Sequence, residues 1–148
     1  MTKRQKRCRK ITAAFALLAM LSGAASAQPV PPPAMAIHND SLMTITTDPT
    51  GYVRIAYSVP RPAMAAIGVR PGMQLIEGRW IAPNQFDGTA VVFAPRCATV
   101  FPYRVTGGVG PDGALHLFGP APVVSPYCTI WSYAPTGNSD LVFWPYQG

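Results

Sequence analysis

Met73-Gln-Leu-Ile-Glu-Gly-Arg-Trp80, Gly88-Thr-Ala-Val-Val-Phe-Ala-Pro-Arg-Cys97, Tyr103-Arg-Val-Thr-Gly-Gly108, Ala114-Leu-His-Leu-Phe-Gly119 and Tyr127-Cys-Thr-Ile-Trp-Ser-Tyr133 follow one another along the middle of the chain. Each is a short run of β-branched and aromatic residues, and Gly or Pro stands at the breaks between them. That punctuation is how an antiparallel sheet reads in sequence. Cys97 and Cys128 are fixed points in it, placed to clip the end of one run to the start of another.

Upstream, Met1 to Lys10 carries six basic residues and no acid, Ile11 to Leu21 is apolar apart from Thr12, and Ala25-Ser26-Ala27 supplies small residues. The apolar run is far shorter than the roughly 20 residues of a membrane-spanning helix. This is the order of a secretory signal peptide over residues 1–27, with the cut expected before Gln28. After that cut the chain carries no transmembrane segment, and its expected location is periplasmic or secreted.

The cut changes the charge and the cysteine count together. The full chain has 12 basic and 6 acidic residues. Beyond Gln28 there remain Arg54, Arg61, Arg70, Arg79, Arg96 and Arg104 against Asp40, Asp48, Glu77, Asp87, Asp112 and Asp140, which is zero net charge and no lysine. Binding nucleic acid through its phosphates needs an excess of positive charge, so no nucleic-acid partner is expected. Cys8 leaves with the basic run, and the remaining even pair, Cys97 and Cys128, is expected to form one disulfide in an oxidising compartment.

Residues 28–40 open with Pro29, Pro31, Pro32 and Pro33 and read as a Pro-rich tether, so a single β domain is expected over residues 41–148. Leu42 to Thr47 and Tyr52 to Val59 form a hairpin pattern around Asp48-Pro49-Thr50-Gly51, a type I turn sequence. Ala63 to Ile67 is the one helical stretch and is barely a turn long. Strand patterns continue at Met73–Trp80, Thr89–Ala94, Val100–Thr106, Ala114–Phe118, Cys128–Tyr133 and Leu141–Trp144. Pro102 inside one of them argues for an edge, a bulge or a later strand start. About seven or eight short strands with frequent turns predict an all-β fold, a small antiparallel barrel or a sandwich. The pattern leaves the two open.

Three resemblances attach to particular residues. Gly88-Thr89-Ala90, Phe93, Cys97, Pro102-Tyr103, Val105, Gly107, Gly119-Pro120-Ala121-Pro122 and Cys128 resemble small secreted bacterial two-cysteine β domains of unassigned function, over the last half of the chain. That resemblance implies a fold and no activity. Ala65-Ala66-Ile67-Gly68-Val69-Arg70-Pro71-Gly72-Met73 is similar to the helix-to-strand passage of PDZ domains. It lacks the acid after the glycine, and no second amphipathic helix follows to build a peptide groove. Gly78-Arg79-Trp80 is similar to the Gly-x-Trp of small lipid-binding barrels and some periplasmic inhibitors, where the motif opens the first strand. Here ordered chain precedes it.

The inventory for chemistry is thin. His38 falls in the tether, and His116 alternates with Leu115 and Leu117 as an ordinary strand residue. Ser125 and Asp112 are available for a triad with it, but no motif presents either. Asp87, Asp112 and Asp140 sit at turns, and Glu77 reads as half of a surface pair with Arg79. No metal-ligand spacing and no phosphate cradle is present, so no catalytic residue, metal or cofactor is assigned.

Aromatic residues crowd the C-terminal part instead. Trp131, Tyr133, Trp144 and Tyr146 are the candidate binding surface, with core packing as the competing use. Gly119 to Pro126, with Val123, Val124 and Ser125 at its centre, is the candidate inhibitory loop, braced by the adjacent Cys128. The expected function is a non-catalytic binding or structural module of the bacterial cell envelope, with a protein or a glycan as partner. An enzyme inhibitor is the alternative, and a small hydrolase using Glu77 or His116 comes third.

Overall fold

A computed structural model describes residues 34–148, which form a closed antiparallel barrel with a separate two-stranded hairpin outside it. The barrel strands are β1 (Ala34–His38), β2 (Ser41–Thr47), β3 (Tyr52–Val59), β4 (Gln74–Ala82), β5 (Gln85–Phe93), β6 (Val100–Val109), β7 (Leu115–Phe118) and β10 (Asp140–Pro145). Around the barrel they run β1-β10-β7-β6-β5-β4-β3-β2, and β2 pairs back onto β1. The hairpin is β8 (Ala121–Val124) with β9 (Ile130–Ala134), an excursion made between the last two staves. A five-residue helix, α1 (Pro62–Ala66), follows β3. Of the two architectures the sequence permits, the chain adopts the barrel. The expected signal peptide and the start of the expected tether lie outside the described residues.

One boundary is corrected. Residues 34–38 are not tether: Ala34–His38 is a barrel strand that pairs with β2 on one side and with β10 on the other, Ala36 facing Pro145 and Ile37 facing Trp144. The turn after it explains why. Asn39 and Asp40 both have positive φ, 45° and 61°, the two-residue hairpin turn that Asn and Asp tolerate best after Gly. Without β1 the barrel could not close, and β2 and β10 would each carry an unpaired edge.

Eight strands enclose a space just wide enough for side chains to fill. Met43, Ile55, Ile76, Phe86, Val105, Leu117 and Phe143 fill it, all essentially without solvent exposure. On the β3–β6 wall Arg54, Glu77, Arg79, Asp87 and Arg104 stand outside, whereas a bilayer-crossing barrel carries its apolar band there. No helix among the described residues is long and apolar enough to cross a membrane. Gly78 and Gly88 face each other across β4 and β5. The ring of Phe86 lies over both: a Cβ on Gly78 would stand 2.5 Å from it, and one on Gly88 2.6 Å. Glycine is required there because the aromatic ring occupies the side-chain space of both positions.

Candidate functional site

The hairpin is fastened to the barrel at both ends. At its tip, Cys128 is bonded to Cys97 in the β5–β6 connection, with a Cα–Cα distance of 5.6 Å. Ser125 builds the tip turn: its hydroxyl accepts from the backbone N–H groups of Tyr127 (3.1 Å) and Thr129 (3.2 Å) and exchanges a 2.8 Å bond with the Thr129 hydroxyl. At the base, the buried Ser139 hydroxyl accepts from Ala121 N (3.1 Å) and Thr136 N (2.9 Å) and donates to Ala134 O (3.0 Å). The expected disulfide is therefore present, and it turns a two-stranded hairpin, marginal alone, into a strap.

The strap lies over the one part of β6 that β7 leaves open. β7 pairs only with Thr106 to Val109, so Val100 to Arg104 has β5 on one side and no paired strand on the other, where β8 of the hairpin comes close to β6. Pro102 sits in that stretch, where its missing N–H interrupts no second ladder. Between strap and barrel runs a groove of about 760 Å³ lined by Thr89, Pro102, Arg104, Phe118, Pro120 and Tyr133. Arg104 on its wall makes a 2.7 Å ion pair from Nε to Asp87, and that guanidinium holds the Asp87 carboxyl below its ordinary range. The pair is largely solvated and serves mainly to position Arg104.

The candidate aromatics are on the surface. Tyr127, Trp131, Tyr133, Trp144 and Tyr146 are between 49% and 85% exposed, while Phe143 and Phe86 supply the aromatic core. They do not form one patch. Tyr127, Trp131 and Tyr133 belong to the strap, whereas Trp144 lies on β10, edge-on to His116 of β7 at 6.4 Å, and Tyr146 follows the strand end with its N–H on Met35 O. Nor do Trp131 and Tyr133 share a face by simple alternation. Val123 faces Ser132 but Val124 faces Ile130, so Trp131 is the extra residue of a bulge. Bulges redirect side chains, and Trp131 is thrown into solvent.

The inhibitory-loop expectation is corrected. Val123 and Val124 are not in a protruding loop; they are half-buried residues of β8, laddered to β9, and Ser125 is buried with its hydroxyl committed to the turn. The protruding element is the turn that follows, with Tyr127 at its apex.

For acid–base chemistry, the structure brings His116 and Asp112 together, Nε2 lying 2.9 and 3.1 Å from the two carboxylate oxygens. That hydrogen bond holds the Asp112 carboxyl below its ordinary value. The Ser125 hydroxyl is bonded within its own turn, so these residues do not assemble a triad. Glu77 does not pair with Arg79 as expected. It accepts from the Tyr52 hydroxyl and from Gln74 Nε2 (2.8 Å), which lower its pKa and suit it poorly to donating a proton. Arg79 instead lies over the Tyr52 ring at 5.9 Å. No cluster of three metal-ligating side chains occurs among the described residues.

Compared with known proteins, the chain matches no family model, no curated sequence and no solved structure.

Proposed function

We propose that this chain is an exported, non-catalytic binding module of the bacterial cell envelope, and that it grips a protein partner with its strap. The supporting observation is the exposure of Tyr127, Ile130, Trp131 and Tyr133 within seven residues on an element tied down at both ends. Large aromatic side chains on a pre-ordered element contribute most at protein interfaces, because little conformational freedom remains to be lost on binding. The groove under Tyr133 and the adjacent Phe118 extend the same surface. Export is supported by the basic–apolar–small order of residues 1–27 and by a disulfide that needs an oxidising compartment. The test is retention of an envelope protein on the immobilised chain, compared with Trp131→Ala/Tyr133→Ala. Loss on substitution with unchanged melting supports the proposal. Equal retention by both overturns it, and binding that survives proteolysis of the extract assigns a glycan instead.

One observation favours the inhibitor alternative: Tyr127, the most exposed large hydrophobic side chain among the described residues, stands on a turn braced by the disulfide. An inhibitor of that build would lose its effect with Tyr127→Ala alone, whereas the broader surface would lose only part of its affinity.

A further inference from the structure

A second concave site lies at one end of the barrel, and Tyr103 stands between it and the strap groove, lining both. His38, Tyr57 and Phe93 near the ends of their strands, and Ser41, Leu75, Tyr103 and Leu141 near the starts of theirs, meet there, as an antiparallel barrel requires. Met64 of α1 and Ile67 just after it close over the opening. The space enclosed is about 220 Å³. An apolar cavity of about 150 Å³ holds benzene, so this one takes a single ring or a short branched chain with a polar head.

Its polar groups are unbalanced in one direction. Arg61 is the cation on its wall, and its Nε–H is buried without an acceptor among the described residues. The Tyr57 hydroxyl and the Ser41 hydroxyl hydrogen also find no described acceptor, although Ser41 Oγ itself accepts from Arg61 N at 3.0 Å. The Asn39 and Asn138 amide oxygens line the space as neutral acceptors, while the backbone and ring acceptors beside them are already used. The carbonyl of Asn138 receives the Tyr103 hydroxyl. His38 donates Nδ1–H to Val142 O at 2.9 Å, which leaves Nε2 to accept from Asn39 at 3.3 Å. No carboxylate lines the space. Arg61 itself is half-buried, but its buried Nε–H, left without an acceptor, costs stability unless one is supplied.

From this juxtaposition of a cavity that holds donors, a few apolar side chains and no carboxylate with the unpartnered Arg61 Nε–H, we infer that the barrel mouth binds a small organic acid. The carboxylate meets Arg61, with Tyr57 and Ser41 as further donors, and the apolar body lies among Leu75, Val92 and Leu141. A carboxylate fits better than a phosphate because Leu75, Val92 and Leu141 stand beyond the donors and would leave further charged oxygens unsolvated. The aliphatic Arg61 stem and its charge act together, so a lysine is a poor replacement in a forked contact.

The test uses the disulfide-bonded exported chain titrated with benzoate and with benzamide, its neutral counterpart of the same shape, and followed by amide chemical shifts. Benzoate is expected to bind, with shifts centred on His38, Tyr57, Leu75 and Leu141, and benzamide to bind at least about tenfold more weakly. Arg61→Met should reduce benzoate binding to the benzamide level. Should that variant not fold, the benzoate–benzamide comparison on the unmodified chain decides alone. Equal affinity for the two probes, shifts elsewhere, or no benzoate binding at about 10 mM, where a millimolar ligand is mostly bound, would overturn the inference.

Discussion

Replacing Cys97 and Cys128 by serine removes a bond that closes a loop of 31 residues. That loop contains β6, β7 and β8, so it runs through the barrel wall and is no appendage. With the chain-entropy relation, closing it removes about 12 cal/mol/K from the unfolded ensemble, or about 3.7 kcal/mol at 25 °C. A domain spanning residues 34–148, at roughly 2.1 cal/mol/K per residue, has an unfolding entropy near 0.24 kcal/mol/K. The double-serine chain should therefore melt about 15 °C below the oxidised one. Differential scanning calorimetry of the two chains, with the reduced wild type as a third sample, measures this. The tip turn should loosen too, and hydrogen exchange at Ile130 to Ala134 should accelerate well beyond the global change. A fall of less than about 4 °C would refute the reasoning, because the unfolded chain would then not be feeling the cross-link.

Four further outcomes follow from the geometry. Phe86→Ala empties the space over Gly78 and Gly88 and should cost about 3–5 kcal/mol in urea unfolding, whereas Gly88→Ala, whose new Cβ would meet Glu77 O at 2.4 Å, should cost about 1–3 kcal/mol by overpacking. Burial lowers the His38 pKa below 6.5, with the Arg61 charge adding to the effect against the Val142 hydrogen bond. The unfolded chain then binds the proton first, so this stability is fully present above pH 6.5 and is lost as pH falls below it; His38→Leu should flatten the urea midpoint between pH 7 and about 5.5. Trp131→Ala should leave the melting curve within about 0.5 kcal/mol of wild type, since its side chain already faces water; a larger loss would mean that the indole packs against the domain.

Much of the barrel is legible from short-range chemistry. Asp48 to Gly51 reads as a turn and is one: Asp48 Oδ1 receives Thr50 N and Tyr52 N, and Gly51 has φ +79°. The disulfide follows from parity once residues 1–27 are set aside. β1 is hidden because the proline run before it dominates the local composition, although His38-Asn39-Asp40-Ser41 carries a usable hairpin signal. β8 is hidden in Gly119-Pro120-Ala121-Pro122, since proline argues against a central strand and says nothing against a two-stranded strap. Closure itself rests on Ile37 facing Trp144, a pairing no local pattern announces.

The site is less legible than the fold. Alternation separates Phe143 inward from Trp144 outward, but composition alone does not say which is which. At Trp131 a bulge breaks the alternation that would place it beside Tyr133. The Arg61 cavity gathers residues from seven strands and a helix, so its set of donors comes together only after the barrel has closed.

The most direct test of the binding proposal is a photo-crosslinking scan in cells that export the chain. A photoreactive residue would be placed singly at Tyr127, Trp131 and Tyr133 on the strap, and at Thr46 on β2, which lies opposite β6 around the barrel. The strap positions should give one discrete, protease-sensitive adduct, and Thr46 none. Adducts of equal yield at Thr46, or none from the strap in correctly oxidised protein, would contradict it.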